Sequence, residues 1–245
     1  MTSLAPVAVA ILAALTALAI RLLIQARRGG RGPELVLGLF FLAVGPLGFL
    51  PTLLPVIVPA IPWPVAQMRM AGVAGITLGC WLMAVFTWRV FRPHETWAAG
   101  LVAGIGLALV AGYAFRAVSQ GFEEMEHLGP AWVLSVATRA VCFLWSGLES
   151  LRYWSAARRR VRLGLLDALT ANRFLLWSVW SGGGAFVLGV HVVRTVSGLD
   201  PSLRVGLTLV GGVVCGAAIW LTFFPPATYR RLVERRAPAS DRSLV

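Results

Sequence analysis

The chain has 245 residues, of which 58% are hydrophobic and 13% charged, and its mean hydropathy is +0.79. Soluble domains carry about 25% charged residues, so this composition excludes a water-soluble globular protein and indicates a chain surrounded mostly by lipid. A net charge of +12 would suggest a nucleic-acid partner in a soluble protein, but here the basic residues cluster at the ends of apolar segments. We therefore expect no nucleic-acid partner and interpret the charge as a signal of membrane topology.

The apolar segments predict transmembrane helices, because about 20 apolar residues suffice for a helix to cross the hydrocarbon core. Lipid offers no hydrogen-bond partner to an open backbone, and the alternating pattern of a β-barrel is missing, so the predicted fold class is all-α. The predicted polytopic bundle occupies residues 1–226 and has seven spans, at about 5–24, 34–54, 65–91, 96–119, 130–154, 173–195 and 203–224; a basic cytoplasmic tail follows at 227–245.

The arginine distribution predicts the orientation of the spans. No basic residue precedes the first span, whereas Arg21, Arg27 and Arg28 lie at or just beyond its end, which is the reverse of a secretory signal peptide. The links between spans one and two, three and four, and five and six carry arginine clusters, as does the tail, while the other links carry almost none. This alternation places the N-terminus outside and the C-terminus in the cytoplasm.

Prolines and glycines predict finer features of the spans. Pro51 and Pro55 are expected to interrupt the second span, and residues 55–64 to form an interfacial outer loop anchored by Trp63. The basic link between spans five and six is expected to extend from 158 to 172. Glycines at four-residue spacing favour close helix packing inside the bundle over dimerisation; these pairs are Gly75 and Gly79, Gly100 and Gly104, and Gly212 and Gly216.

Two short segments resemble known membrane proteins. Residues 163–177 (LGLLDALTANRFLLW) resemble a segment of an uncharacterised family of bacterial seven-helix multi-pass membrane proteins, and this resemblance implies no activity. Pro226 and Tyr229, followed by two arginines, resemble in outline the end of the seventh span in G-protein-coupled receptors. The first resemblance implies a bacterial plasma-membrane protein, as does the use of arginine for all 22 basic residues.

The sequence also limits the possible cofactors. Without lysine no retinal Schiff base can form, so a retinal-binding rhodopsin is excluded. Only His191 among the three histidines lies in a span, which leaves no pair for haem and no three-histidine zinc site. Cys80, Cys142 and Cys215 lie in apolar segments without metal-type spacing, and we expect buried structural thiols. We thus predict no metal and no cofactor.

Four basic side chains are candidates for a ligand site towards the outer side. A charge near the bilayer centre costs about 2.5–3.5 kcal/mol, so each requires a compensating interaction. Arg139 lies about 13 Å into the fifth span at 1.5 Å per residue. With Arg116, Arg69 and His191 it is predicted to line an outer cavity for an anionic group. Alternatively, these arginines pair with the acidic loop at 123–126 or extend individually to the interface.

An inner ion pair is predicted around Glu149 of the fifth span. Its candidate partners are Arg152, Arg173 and Arg89. Such a pair either joins helices as a two-state lock or simply satisfies a buried carboxylate.

These features predict a non-enzymatic membrane sensor or binding protein for a small anionic or lipid-like ligand. Membrane lipids, including anionic headgroups, and a cytoplasmic or membrane protein are the expected partners. The alternatives are a transporter or channel, which would need a continuous polar path, and an accessory subunit of a membrane complex. An enzyme acting on lipid is least favoured, because the spans lack paired carboxylates.

Overall fold

The computed structural model describes residues 5–29, 32–58, 60–119, 121–122, 129–198 and 200–236. Every regular element in these ranges is helical, and seven helical segments are long and apolar enough to cross a membrane, which confirms the all-α prediction and the number of candidate spans. The α-helices are α1 (Ala5–Gly29), α2 (Gly32–Val44), α3 (Leu50–Ile57), α4 (Val65–Phe91), α5 (Thr96–Ser119), α6 (Pro130–Arg162), α7 (Ala168–Ser197), α8 (Pro201–Phe223) and α9 (Ala227–Arg236).

The chain divides into two compact units, Met1–Cys142 and Phe143–Val245, with the boundary inside α6. In the first unit α1 packs against α2, α2 against α4, and α4 against α5. In the second unit α7 packs against α8, and α9 packs against α7. Large apolar side chains remain exposed along these helices, among them Leu107 at 73% and Val213 at 71%. Such surfaces suit a lipid environment, where apolar exposure carries no penalty.

The second span passes through its prolines, contrary to the predicted interruption at Pro51 and Pro55. A wide π turn, Gly45–Phe49, joins α2 to α3, and the helix ends only at Ile57. In the π turn the Leu50 amide donates to the carbonyl of Gly45, five residues back. This wider turn shifts the hydrogen-bond register just before Pro51, which has no amide hydrogen to donate. The link to α4 therefore begins near Val58, whose carbonyl accepts a 2.9 Å hydrogen bond from Trp63 Nε1.

Glycines of α4 allow its close contact with this irregular span. A Cβ added to Gly75 would lie 2.6 Å from the carbonyl oxygen of Leu47, and one added to Gly72 would lie 2.6 Å from that of Gly48. Leu47 is four residues before Pro51, so its carbonyl has no α-helical donor there. The glycine face lets α4 approach that carbonyl closely, which permits weak Cα–H···O contacts.

The fifth and sixth spans extend further than predicted. α6 continues to Arg162 instead of ending near 154, because its arginine-rich end, although unsuited to lipid, favours helix. α7 begins at Ala168, not near 173, because the Asp167 carboxylate accepts a 2.9 Å hydrogen bond from the amide of Thr170 and caps the helix. The link between α6 and α7 is thereby shortened to residues 163–167, and the arginines of the predicted basic link lie in the last turns of α6.

The second unit also uses small residues between helices. A Cβ on Gly183 of α7 would lie 2.7 Å from Cys215 Sγ of α8, and one on Gly211 would lie 2.5 Å from a methyl carbon of Val187. In contrast, a Cβ at Gly212 or Gly216 would meet no atom within 4 Å. The predicted internal packing role therefore applies to Gly75 and Gly79 but is wrong for the pairs Gly100 and Gly104, and Gly212 and Gly216, where an added Cβ would meet no atom within 4 Å.

Candidate functional site

Arg139 binds a neutral hydroxyl group across two helices of the first unit. Its Nη2 donates a 3.0 Å hydrogen bond to Thr77 Oγ1 of α4, and that hydroxyl donates in turn to the carbonyl of Val73 at 2.7 Å. The Nε atom of Arg139 is buried and has no hydrogen-bond partner among the described residues. Within the same ranges Arg139 makes no ion pair with a carboxylate. The guanidinium thus retains donor capacity.

Arg116 is the most buried of the three arginines predicted in this unit, with 5% of its surface exposed. Its Nε donates to the carbonyl of Gly121 at 3.3 Å, and its guanidinium carbon lies 4.9 Å from the centre of the Phe122 ring. This is cation–π geometry, which holds the charge without cancelling it. Phe122 itself stacks at 5.4 Å on Tyr113, whose hydroxyl donates to the carbonyl of Met70.

Three arginines come together at one end of α4, α5 and the first part of α6. The charge of Arg116 interacts with those of Arg139 and Arg69, so all three are within electrostatic reach. Arg69 lies four residues after the start of α4, and Arg116 lies three residues before the end of α5. We call Arg69, Arg116 and Arg139 the arginine cluster. Like charges repel in a medium of low dielectric constant, so the cluster favours a nearby anion.

The helices that carry the cluster have a defined relative direction. Tyr113 of α5 contacts Met70 of α4, a Cβ on Gly112 of α5 would touch Ser135 of α6, and Thr77 of α4 contacts Arg139 of α6. Through α5, Met70 of α4 lies near the level of Ser135 of α6, and Thr77, further along α4, contacts Arg139, further along α6. These two helices therefore run in the same direction in this part of the unit.

The other residues of the predicted outer site, His191 and the acidic loop, are not part of the arginine cluster. His191 lies on α7 in the second unit and is half-buried, and its participation stays a prediction. The predicted alternative partners at Glu123, Glu124 and Glu126 lie outside the described residues. Arg69 and Arg116 of the cluster have further interactions in the structure, as does His191.

The ion pair predicted around Glu149 forms with a residue one turn away on α6. Arg152 Nη1 lies 3.2 Å from Glu149 Oε1, and the Glu149 side chain is 2% exposed whereas that of Arg152 is 67% exposed. Arg173, a second candidate partner in this unit, is exposed and makes no ion pair among the described residues. Arg89 is exposed in the last turn of α4, in the first unit. The observed pair lies within one helix, and Glu149 has further interactions in the structure.

A buried polar contact between α6 and α7 was not predicted. Trp177 Nε1 donates to Ser146 Oγ at 3.0 Å, and Ser181 Oγ lies 3.5 Å from the same oxygen. Both serines are fully buried. Close approach is possible because Gly147 lies beside Gly182. The repeated Trp-Ser-Gly segments at 145–147 and 180–182 are the sequence signal that could have indicated it.

Two polar side chains near the ends of α7 and α8 form hydrogen bonds that fix the ends of these helices. Asn172 Nδ2 donates to the Tyr229 hydroxyl at 2.8 Å, which ties α9 to the first turns of α7. Asp200 caps α8, and hydrogen bonds from the Ser202 hydroxyl and the Leu203 amide hold the pKa of its carboxyl below the ordinary value. Tyr229 thus attaches α9 to α7. Its resemblance in outline to the end of the seventh span of receptors has no bearing on this contact.

These observations define a polytopic helical membrane protein with a cluster of arginines inside its first unit. Within the described residues no group of three or more histidine, cysteine, aspartate or glutamate side chains is arranged to hold a metal ion. The chain matches no family model, no curated protein and no solved structure in the comparisons made.

Proposed function

We propose that the protein is a non-enzymatic sensor or binding protein of the bacterial plasma membrane that takes a small anionic or lipid-like ligand from the outer side. The observation that carries the proposal is the arginine cluster, in which Arg139 has a neutral hydroxyl partner and an unused Nε donor.

The chemistry of guanidinium groups favours this ligand class. A guanidinium presents several N–H donors in a planar fork that matches carboxylate and phosphate oxygens. Arg139 lies nine residues after the start of α6, which is about 13 Å along the helix axis. An anion that reached this depth would offset the cost of keeping the charge there.

The outer location follows from the threading proposed for the chain. Arginine-rich segments mark the cytoplasmic side, and they lie at the opposite ends of α4 and α6 from the cluster. In this arrangement the ligand enters from outside, and α6 connects the cluster to Glu149 and to the basic end of the helix. Anionic lipid headgroups and a cytoplasmic or membrane protein are the proposed partners at that end.

Ligand-dependent thermal stability of the purified full-length protein tests the proposal. The panel contains acetate, phosphate, a long-chain fatty acid and phosphatidylglycerol, with phosphatidylcholine as the neutral lipid. A ligand at one hundred times its Kd should add about 2.7 kcal/mol to the free energy of unfolding. Arg139→Gln should weaken binding roughly 10- to 100-fold, since a hydrogen bond to a charged group is worth about 1.5–3 kcal/mol.

Arg89→Gln is the matched control, because it removes an exposed arginine from the other end of α4. It should leave the ligand-dependent stabilisation unchanged, and Arg139→Lys should retain part of it. If no member of the panel stabilises the unmodified protein, or if Arg139→Gln responds as fully as the unmodified protein, the proposal is wrong.

A transporter is the second candidate, and the buried carboxylate of Glu149 favours it, because ionisable groups inside spans often mark ion or proton pathways. Proteoliposomes loaded with the stabilising anion decide between the two. Flux that is lost in Glu149→Gln supports a transporter, whereas binding without flux supports a sensor or binding protein.

A further inference from the structure

Two of the three cysteines lie beside the contact that joins α4 to α6. Cys80 follows Thr77 by three residues on α4, and Cys142 follows Arg139 by three residues on α6. Residues three apart share a helix face one turn on. Because the two helices run in the same direction here, each thiol follows its own helix's partner in the hydrogen bond between Arg139 and Thr77 by one turn on the same side.

Both thiols are buried, and among the described residues the positive charge that acts on them is that of Arg139. Cys80 is 3% exposed, and Cys142 is fully buried with its Sγ 3.2 Å from the carbonyl of Thr138. Each thiol is within electrostatic reach of the other and of Arg139. Cys80 and Cys142 are 62 residues apart in the chain, so the spacing of cysteines in the sequence could not have indicated this arrangement.

We propose that Cys80 and Cys142 form a two-sulfur site for a soft monovalent cation of the Cu⁺ or Ag⁺ class, with Arg139 as the balancing charge. Each thiol would lose its proton to solvent and form one metal–sulfur bond, and the cation would keep its oxidation state. Two thiolates and one monovalent cation carry a net charge of −1, which the guanidinium neutralises. This inference does not require an anionic ligand, although both proposals use the charge of Arg139.

The donor set and the charge select the class of ion. Thiolates favour Cu⁺ over hard cations, and two-coordinate geometry is acceptable to Cu⁺ and Ag⁺. Zinc normally takes four protein ligands in a structural site, and the described residues hold no cluster of three or more histidine, cysteine and carboxylate groups. A divalent ion between two thiolates would also leave the charge of Arg139 unbalanced in a medium of low dielectric constant.

The test is a Cu⁺ titration of the reduced full-length protein under anaerobic conditions, in competition with a chromogenic Cu⁺ chelator. Cys215 of α8 supplies the matched control, because it lies in the second unit. The unmodified protein and Cys215→Ser should each bind one Cu⁺ tightly. Cys80→Ser and Cys142→Ser should each bind at least about 100-fold more weakly, and Arg139→Gln should bind more weakly than Arg89→Gln.

X-ray absorption of the loaded, unmodified protein gives a measurement that does not depend on the folding of variants. Two sulfur ligands on copper, with no nitrogen or oxygen ligand, support the site. Failure of the unmodified protein to compete with the chelator would overturn the inference. Undiminished binding by the Cys80→Ser and Cys142→Ser variants would overturn it as well, as would a copper centre with a different ligand set.

Discussion

Arg139 shows how a single guanidinium is accommodated inside a membrane-spanning helix. Placing a charge there costs about 2.5–3.5 kcal/mol on insertion scales. Among the described residues the only direct hydrogen-bond partner is the Thr77 hydroxyl, whose own hydrogen is already donated to Val73. Thr77 is therefore oriented as an acceptor towards Arg139. Of the threonines on α4 whose hydroxyls donate to their own helix, only Thr77 accepts a hydrogen bond from an arginine.

Thr77→Val should destabilise the protein more than Thr87→Val does. Both threonines lie on α4 and donate to the carbonyl four residues back, but only Thr77 also accepts from an arginine. Leaving a charged donor without its partner costs about 1–3 kcal/mol, so the difference between the two variants should be of that size. Thermal unfolding of both variants in one detergent measures it; equal destabilisation would show that Arg139 does not depend on Thr77.

Asp200 should give the second unit a specific acid sensitivity. The pKa of the Asp200 carboxyl is lower in the folded state than in the unfolded state, so folding favours the ionised form. The resulting contribution to the free energy of unfolding is fully present above the unfolded pKa of about 3.9. It is lost as the pH falls through the folded pKa. Asp200→Asn retains a capping side chain that does not titrate. Unmodified protein should lose stability relative to Asp200→Asn as the pH falls below about 4. A constant difference between pH 7 and pH 3 would contradict this assignment.

Single residues could be selected from the sequence only where they were costly to bury. Arg139, Arg116 and Glu149 stand out because a charge in an apolar segment is expensive. Their partners Thr77, Phe122 and Gly121 could not be selected, because threonine, phenylalanine and glycine are common in such segments and only the three-dimensional packing distinguishes one from another.

At the scale of helices, the glycine face of α4 can be tested against an open glycine on α5. Gly75→Ala should destabilise the protein by about 1–3 kcal/mol, because the added Cβ would lie 2.6 Å from the Leu47 carbonyl. Gly100→Ala has no atom within 4 Å of its Cβ and should be neutral or slightly stabilising. Thermal unfolding of the two variants gives the comparison, and equal effects would mean that α4 does not pack closely against the π turn.

The attachment of α9 should depend on the hydroxyl of Tyr229. Tyr229→Phe keeps the ring but removes the acceptor for Asn172, so residues 227–236 should exchange their amide hydrogens faster. Exchange in the middle of α8 should be unchanged and serves as the internal control. Unaltered exchange in α9 would show that another contact holds this helix.

Helix boundaries were less predictable than the existence of the helices. Hydropathy falls at Arg158, yet α6 continues to Arg162, because hydrogen bonding of the backbone does not stop where the lipid stops. The aspartate and threonine at 167 and 170 form a capping pattern that could have placed the start of α7 correctly. The π turn has no comparable signal, since prolines within a span indicate a distortion without specifying its form.

At the scale of the whole molecule, the seven candidate spans were predictable because long apolar segments in lipid have no alternative to the helix. The side of each helix that packs against its neighbours was not predictable, because the spans are apolar on all sides and show no polar face. The sequence therefore predicted that the three arginines lie towards one end of their spans. That Arg69, Arg116 and Arg139 lie within electrostatic reach of one another depends on how α4, α5 and α6 pack, which the sequence does not show.

The account depends most on the threading of the chain, which single-cysteine labelling with a membrane-impermeant maleimide tests directly. Cysteines are introduced singly at Ala60, His94, Leu165 and Ser202, all exposed outside or at the ends of the spans, in a background without the three native cysteines. Positions 60 and 202 should react in intact spheroplasts, and positions 94 and 165 only after lysis. Reaction of positions 165 and 202 from the same side of the membrane would contradict the threading and the outer location of the arginine cluster.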